Sequence, residues 1–155
     1  MPAPLTAPLD TRALSVPPFA AAGIEHADDT WTEAVDHPFV HALAEGTLDA
    51  DAFTFYQMQD ARYLEAFADA ASLLSTRCPT PDDKLWFIDA ARLALVVEVE
   101  LHEGYGEELG YGPDDLRQLT LTPNNRAYQN HMMERAQRGT LVEGTAAITP
   151  CPWLY

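Results

Sequence analysis

The stretch Phe53-Thr-Phe-Tyr56-Gln-Met-Gln-Asp60-Ala-Arg-Tyr63-Leu-Glu-Ala-Phe67-Ala-Asp-Ala-Ala71-Ser-Leu-Leu74 decides the fold. Phe53, Tyr56, Asp60, Tyr63, Phe67, Ala71 and Leu74 recur at spacings of three and four, which stacks them on one face of an α-helix. Nothing in the run alternates with the period of two that a half-buried strand needs. Asp49 supplies a cap and the helix reads on to about Thr76.

Outward from this helix the start and stop signals continue. Thr30-Trp-Thr-Glu33 reads as a capping box opening a helix to about Glu45, where Gly46 stops it. Cys78-Pro-Thr80-Pro81-Asp-Asp83 closes the long helix and starts the next, with Thr80 at the cap, Pro81 in the first turn and acids at the positive end of the dipole. That helix runs to about Leu109. A short turn lies around Asp115–Gln118, another helix spans about Asn124–Arg138, and the capping box Thr140-Leu-Val-Glu143 opens a last one toward Pro150. The class is all-α, without internal repeats. Residues 1–27 are rich in Pro and Ala and show no periodicity, so they read as a tail, with the helical domain over 28–155.

Composition excludes several function classes. Nine Lys and Arg against 24 Asp and Glu give a formal net charge of −15 in 155 residues. A nucleic acid or an anionic membrane surface needs basic patches, and this balance argues against both. Two cysteines, Cys78 and Cys151, are too few for a disulfide framework and lack zinc spacing, so they read as reduced thiols. No run reaches the roughly 20 apolar residues of a membrane span, and no secretory leader precedes the helices. The expected compartment is the cytoplasm.

Polar residues on apolar faces mark the candidate site. Asp60 interrupts the stripe between Tyr56 and Tyr63, and a buried carboxylate must be hydrogen-bonded, protonated or facing a cavity. A structural network and a ligand site both satisfy that demand. In the next helix Ile88, Ala91, Leu95, Glu98, His102, Tyr105 and Leu109 read as one stripe, broken by Glu98 and His102 one turn apart. Such a pair can bond to itself or offer two metal ligands; too few other His and Glu residues fall on stripes to complete a metal shell. Further on, Tyr128 and His131 read as sharing a face with Met132 and Arg135. Cys151 stands between Pro150 and Pro152, which lack N–H groups, so the reading puts it at a helix break, its thiol off the regular packing. A lone apolar cysteine is ordinarily core filling; one at a break beside aromatics and an acid is a nucleophile candidate. Cys78 receives no role.

In this order, His37-Pro-Phe-Val40, Gly46-Thr-Leu48, Phe53-x-Phe-Tyr56, Gln59-Asp-x-x-Tyr63-Leu64, Glu98-x-x-x-His102, Ala127-Tyr128 and Pro150-Cys-x-Trp-x-Tyr155 resemble the TenA/THI-4 family of thiaminase II-like proteins. The resemblance runs from about residue 28 to the end. It implies an all-α, heme-oxygenase-like helical bundle that binds no heme, and hydrolysis of an aminomethyl-aminopyrimidine formed by thiamin breakdown, in thiamin salvage. By motif, it makes Cys151 the nucleophile and Asp60 the acid on the ring-nitrogen and amine edge. Tyr63, Tyr128 and Tyr155 become pyrimidine-binding residues, with Glu98 and His102 as supporting structure. The implied partner is a small-molecule pyrimidine, with no cofactor and no metal, in a homo-oligomer that the family makes a tetramer. Pro152 departs from the family, which usually has a non-proline residue after the cysteine.

The family pattern continues past the cysteine segment through helices that carry a catalytic glutamate and a further pocket tyrosine. No residues here match them, and Trp153-Leu-Tyr155 lacks a helix-closing signal. The expectation is therefore a bundle missing its C-terminal helices, weak in binding and turnover as these 155 residues stand. Two other readings follow from the same features: a di-metal oxidase on the same fold, or a ligand-binding or association subunit without turnover.

Overall fold

The computed structural model describes residues 17–154, less the side chains at 19, 98, 99, 101–103 and 154. The described residues form nine α-helices and no strand, and the chain divides into two compact units between Asp49 and Ala50.

The first unit holds α1 (Pro18–His26), α2 (Asp28–Val35) and α3 (Pro38–Glu45). The stretch 18–26, read from sequence as tail, is a helix instead. Pro18 sits in its first turn, and the alanines that follow form helix without needing an amphipathic pattern. Thr30 lies inside α2 rather than capping it, and the helix expected from Thr30 to Glu45 is broken in two. Pro38 causes the break: His37 before it is extended (φ −70°, ψ 140°), and its Nδ1 accepts the Phe39 N–H at 3.1 Å. Gly46 closes α3 in the left-handed region, at φ 69°.

The second unit comprises α4 (Ala50–Ser75), α5 (Pro81–Leu109), α6 (Pro113–Gln118), α7 (Pro123–Arg138), α8 (Leu141–Ile148) and α9 (Pro150–Leu154). Two of the caps read from sequence form here. Thr80 accepts the Asp83 N–H at 3.1 Å, and Thr140 and Glu143 close a reciprocal box. The long helix α4 packs against α5, α7 and α8. Its stripe residues Tyr63, Phe67, Ala71 and Leu74 enter one core with Phe87, Ala91 and Ala94 of α5, Met132 and Ala136 of α7, and Ile148 of α8. Arg77, just past α4, donates to the carbonyls of Ala136 (2.7 Å) and Gly139, tying down the C-terminal end of α7.

Two faces differ from the sequence reading. Among the described residues of α5, the buried apolar side chains are Phe87, Ala91 and Ala94, while Ile88 and Leu95 are exposed. This helix is apolar nearly all round, so periodicity could not choose its inner side; close approach to alanine-rich α4 selects the face bearing small residues. On α7 the inner face is Met132 and Ala136 with Tyr128 and Gln129 half-buried, and His131 points outward.

The break at Cys151 is also milder than expected. Thr149 separates α8 from α9 yet keeps helical dihedrals (φ −59°, ψ −37°), although it precedes a proline. Pro150 and Pro152 fall in the first turn of α9, where N–H groups have no intrahelical acceptor, so the missing donors cost little.

Candidate active site

A cleft of about 330 Å³ opens where α4, α7 and the start of α9 converge. From α4 come Tyr56, Gln59, Asp60 and Tyr63; from α7, Asn125 and Tyr128; from α9, Pro150 and Cys151. The volume falls at the small end of ligand sites, the size of a single substituted ring. The structure thus brings together Asp60, Tyr63, Tyr128 and Cys151 of the residues singled out in the sequence. Tyr155 lies outside the described residues. Glu98 and His102 lie on α5, and their side chains are outside the description as well.

Helical spacing explains the α4 contribution. Tyr56, Asp60 and Tyr63 follow one another by a turn, so a single face carries the carboxyl between two phenols. The Asp60 carboxyl is half-buried and forms no hydrogen bond or ion pair among the described residues. Burial alone pushes its pKa from 3.8 to about 6, so it titrates near neutrality as either acid or base.

Tyr63 and Tyr128 form the aromatic wall. Their ring centroids are 5.5 Å apart with planes 16° from parallel. A flat ring inserted between them would need two stacking gaps of about 3.5 Å each, so a ligand would stack on the pair rather than inside it. Tyr128 is held from behind: its hydroxyl donates to the Ala147 carbonyl at 3.2 Å. The Tyr63 hydroxyl is buried and closes no well-formed hydrogen bond among the described residues. It nonetheless sits near enough to Cys151 and Tyr128 that both reinforce the effect of burial, which pushes its ionisation further up.

Cys151, in the first turn of α9, is half-buried in the same cleft. Burial raises its thiol pKa and the Asp60 carboxylate raises it further, while the Tyr63 hydroxyl opposes them. The resting group is a thiol, and it becomes a nucleophile only by losing its proton as it reacts.

Gln59, Asn125 and Pro150 line the cleft without having been assigned a role from sequence. Gln59 stands in the sequence only as part of a motif, since a glutamine directly before an acid is too common a signal to mark a role. The hydrogen bonds that give these amides their place connect residues more than sixty positions apart.

The sequence profile of the TENA/THI-4/PQQC family matches residues 24–155. The chain belongs to that family. An aminopyrimidine aminohydrolase of Halalkalibacterium halodurans is 32% identical over 137 residues, covering 88% of this chain and 61% of the relative. Among solved structures, a TenA homologue from P. horikoshii OT3 superposes with a TM-score of 0.80 at 31% identity, covering 88% of this chain and 64% of that one. A TenA family transcription regulator from Silicibacter sp. TM1040 gives a TM-score of 0.82 at 28% identity, covering 88% and 60%. The chain thus spans about three fifths of the length of these TENA/THI-4/PQQC relatives. No helix among the described residues is long and apolar enough to cross a membrane.

Proposed function

We propose that this protein hydrolyses an aminomethyl-aminopyrimidine in thiamin salvage, with Cys151 as nucleophile. The observation that carries the reading is the meeting of a thiol, a carboxyl that titrates near neutrality and a two-ring aromatic wall in one cleft sized for a single heterocycle. A similar protein named aminopyrimidine aminohydrolase supports it.

In this mechanism the pyrimidine stacks on Tyr63 and Tyr128 with its nitrogen edge toward Asp60. The protonated carboxyl lends its proton to the ring nitrogen, regaining it when the amine departs, while the Cys151 sulfur passes its own proton to that amine and bonds to the ring carbon bearing it. The carbon–nitrogen bond breaks and the amine leaves as ammonia. Water then attacks the same carbon, the carbon–sulfur bond breaks, and the thiol regains its proton. The net change is one water consumed, one ammonia released and a hydroxyl in place of the amine. Tyr155 is a further pyrimidine-binding residue in this reading, and Glu98 and His102 support the site from α5; these three roles rest on the family resemblance. So does assembly as a homo-oligomer, supported by the apolar side chains that α5 leaves exposed, such as Leu85, Trp86 and Leu93; the cytoplasmic location rests on the cysteine usage and the N-terminal sequence.

The test is release of ammonia from an aminomethyl-aminopyrimidine by the wild-type protein and by Cys151→Ala. Turnover that disappears in the variant while its melting curve is unchanged is expected; turnover that survives would remove the nucleophile from the mechanism.

A further inference from the structure

Along the wall of the cleft and beyond it, three amide side chains form a continuous ladder between α4 and α7. Asn125 Nδ2 donates to the backbone carbonyl of Gln59 at 2.9 Å and to Gln59 Oε1 at 3.0 Å. Gln129 Nε2, one turn on, donates to the backbone carbonyl of Arg62 at 3.1 Å and to Asn125 Oδ1 at 3.0 Å. Gln59 extends the ladder to the segment before α7: its Nε2 donates to the Thr120 carbonyl and its Oε1 accepts the Thr122 N–H, both at 3.1 Å.

The two backbone acceptors are not arbitrary. The Gln59 carbonyl belongs to the peptide group that carries the Asp60 nitrogen, and the Arg62 carbonyl to the one that carries the Tyr63 nitrogen. Both peptide groups are already inside a helix, where their carbonyls serve the α4 ladder, so the extra donors are not needed for helix formation. What they add is register. Asn125, Tyr128 and Gln129 share one face of α7, so the amides that grip the Asp60 and Tyr63 peptides also set Tyr128 against Tyr63. Gln59 is 8% exposed, and a buried amide network of this kind specifies one arrangement because any other leaves a polar group unpaired.

We propose that Asn125 and Gln129 are positioning residues, bonded to each other and through Asn125 to Gln59 in a clamp that holds the Asp60 carboxyl and the Tyr63–Tyr128 wall in register for the ring that reacts with Cys151. The purpose of the clamp rests on the pyrimidine reading of the cleft; its existence and its effect on Asp60 do not.

Gln129 is the residue to change, because it lies outside the cleft and cannot touch a bound ring. Gln129→Leu removes both of its donors at similar volume. Arg77→Met is the control, since Arg77 ties α4 to the far end of α7 and its loss weakens the same packing without loosening the clamp. The first readout is the Asp60 titration by carboxyl carbon NMR on the free protein. Among the described residues, the titratable groups that line the cleft with that carboxyl are Tyr56 and Tyr63 on α4, Tyr128 on α7 and Cys151 on α9. The second readout is KM against kcat for the aminopyrimidine.

In Gln129→Leu we expect the Asp60 titration to move from about 6 toward 3.8 as water enters. KM should rise about tenfold, the scale of one or two lost hydrogen bonds. Arg77→Met should lower the melting temperature and leave both readouts in place. A Gln129→Leu protein whose Asp60 titration and KM match the wild type overturns the proposal, whatever its stability. Gln129→Met, which keeps the side chain's length, carries the same expectation. Failure of both to fold also overturns it, because the residue would then hold up the fold rather than the site. A wild type without turnover would count against the pyrimidine reading alone, since the NMR arm still reads the clamp.

Discussion

Tyr63 and Tyr128 stack with centroids 5.5 Å apart, yet the two hydroxyls fare differently: that of Tyr128 donates to Ala147, and that of Tyr63 is buried without a well-formed bond. A buried unpaired hydroxyl costs about 1–3 kcal/mol. The fold tolerates this cost at the one place where a ligand and a thiol would meet it. Tyr63→Phe keeps the ring and removes the orphan group. The variant should melt a few degrees higher, in keeping with about 1 kcal/mol regained in a domain of this size, while aminopyrimidine turnover falls. A variant that is both less stable and fully active would refute the assignment.

Asp60 should make stability fall with pH over a narrow window. Its pKa is about 6 in the fold against 3.8 ordinarily, so between those values the folded protein holds a proton that the unfolded chain has lost. Stability therefore declines as pH rises from about 4 to about 6, and this group adds no slope outside that range. Asp60→Asn removes the buried charge. Its melting temperature should exceed the wild type's at pH 8 and approach it near pH 4. The gap should be on the order of 1–2 kcal/mol once the water that still reaches the carboxyl is allowed for. Melts at the two pH values check this, and an equal difference at both would show that the carboxyl's charge is not the cause.

The thiol of Cys151 should alkylate slowly at neutral pH, with a rate that climbs only above the ordinary cysteine range, because burial and the Asp60 carboxylate both hold its proton on. Asp60→Asn removes one of those causes and should bring the midpoint down. Iodoacetamide labelling with peptide mass mapping, which separates Cys151 from Cys78, gives the profile. A midpoint that does not respond to Asp60→Asn would separate the two groups electrostatically.

The approach of α8 to α4 depends on Gly144. A Cβ there would run into Leu74 Cδ2, and Leu74 is fully buried and cannot swing out to solvent. Gly144→Ala should therefore destabilise by about 1–3 kcal/mol through overpacking, despite alanine's better helix propensity. Gly23→Ala, with open space around its Cβ, should not destabilise α1. Chemical denaturation of the two variants compares them directly.

Much of the site on α4 was legible because one helix presents it. Tyr56, Asp60 and Tyr63 follow one another by a turn, and a carboxyl among phenols signals an unusual environment wherever the helix packs. Cys151 stood out through its flanking prolines, although they begin a helix rather than bend one. The inner face of α5 was illegible because Leu85, Ile88, Leu93 and Leu95 surround the helix with equally apolar choices, all of them left outside. Gln59, Asn125 and Gln129 were illegible for a different reason. An amide's role is set by its partner, and the bonds from α7 to α4 span 66 and 67 positions of sequence.

By itself, then, the sequence determined what is local: that the domain is helical, the long helices α4, α5 and α7, the caps at Thr80 and Thr140, and which face of α4 carries the acid. These are decided by propensity, spacing and side-chain-to-backbone bonds within a few residues. Only the tertiary structure decided which faces of α5 and α7 turn inward, that Tyr128 stacks on Tyr63, and that an amide clamp stands behind Asp60. Those outcomes depend on volumes and hydrogen-bond partners supplied by distant helices, and such complementarity exists only once the helices have packed.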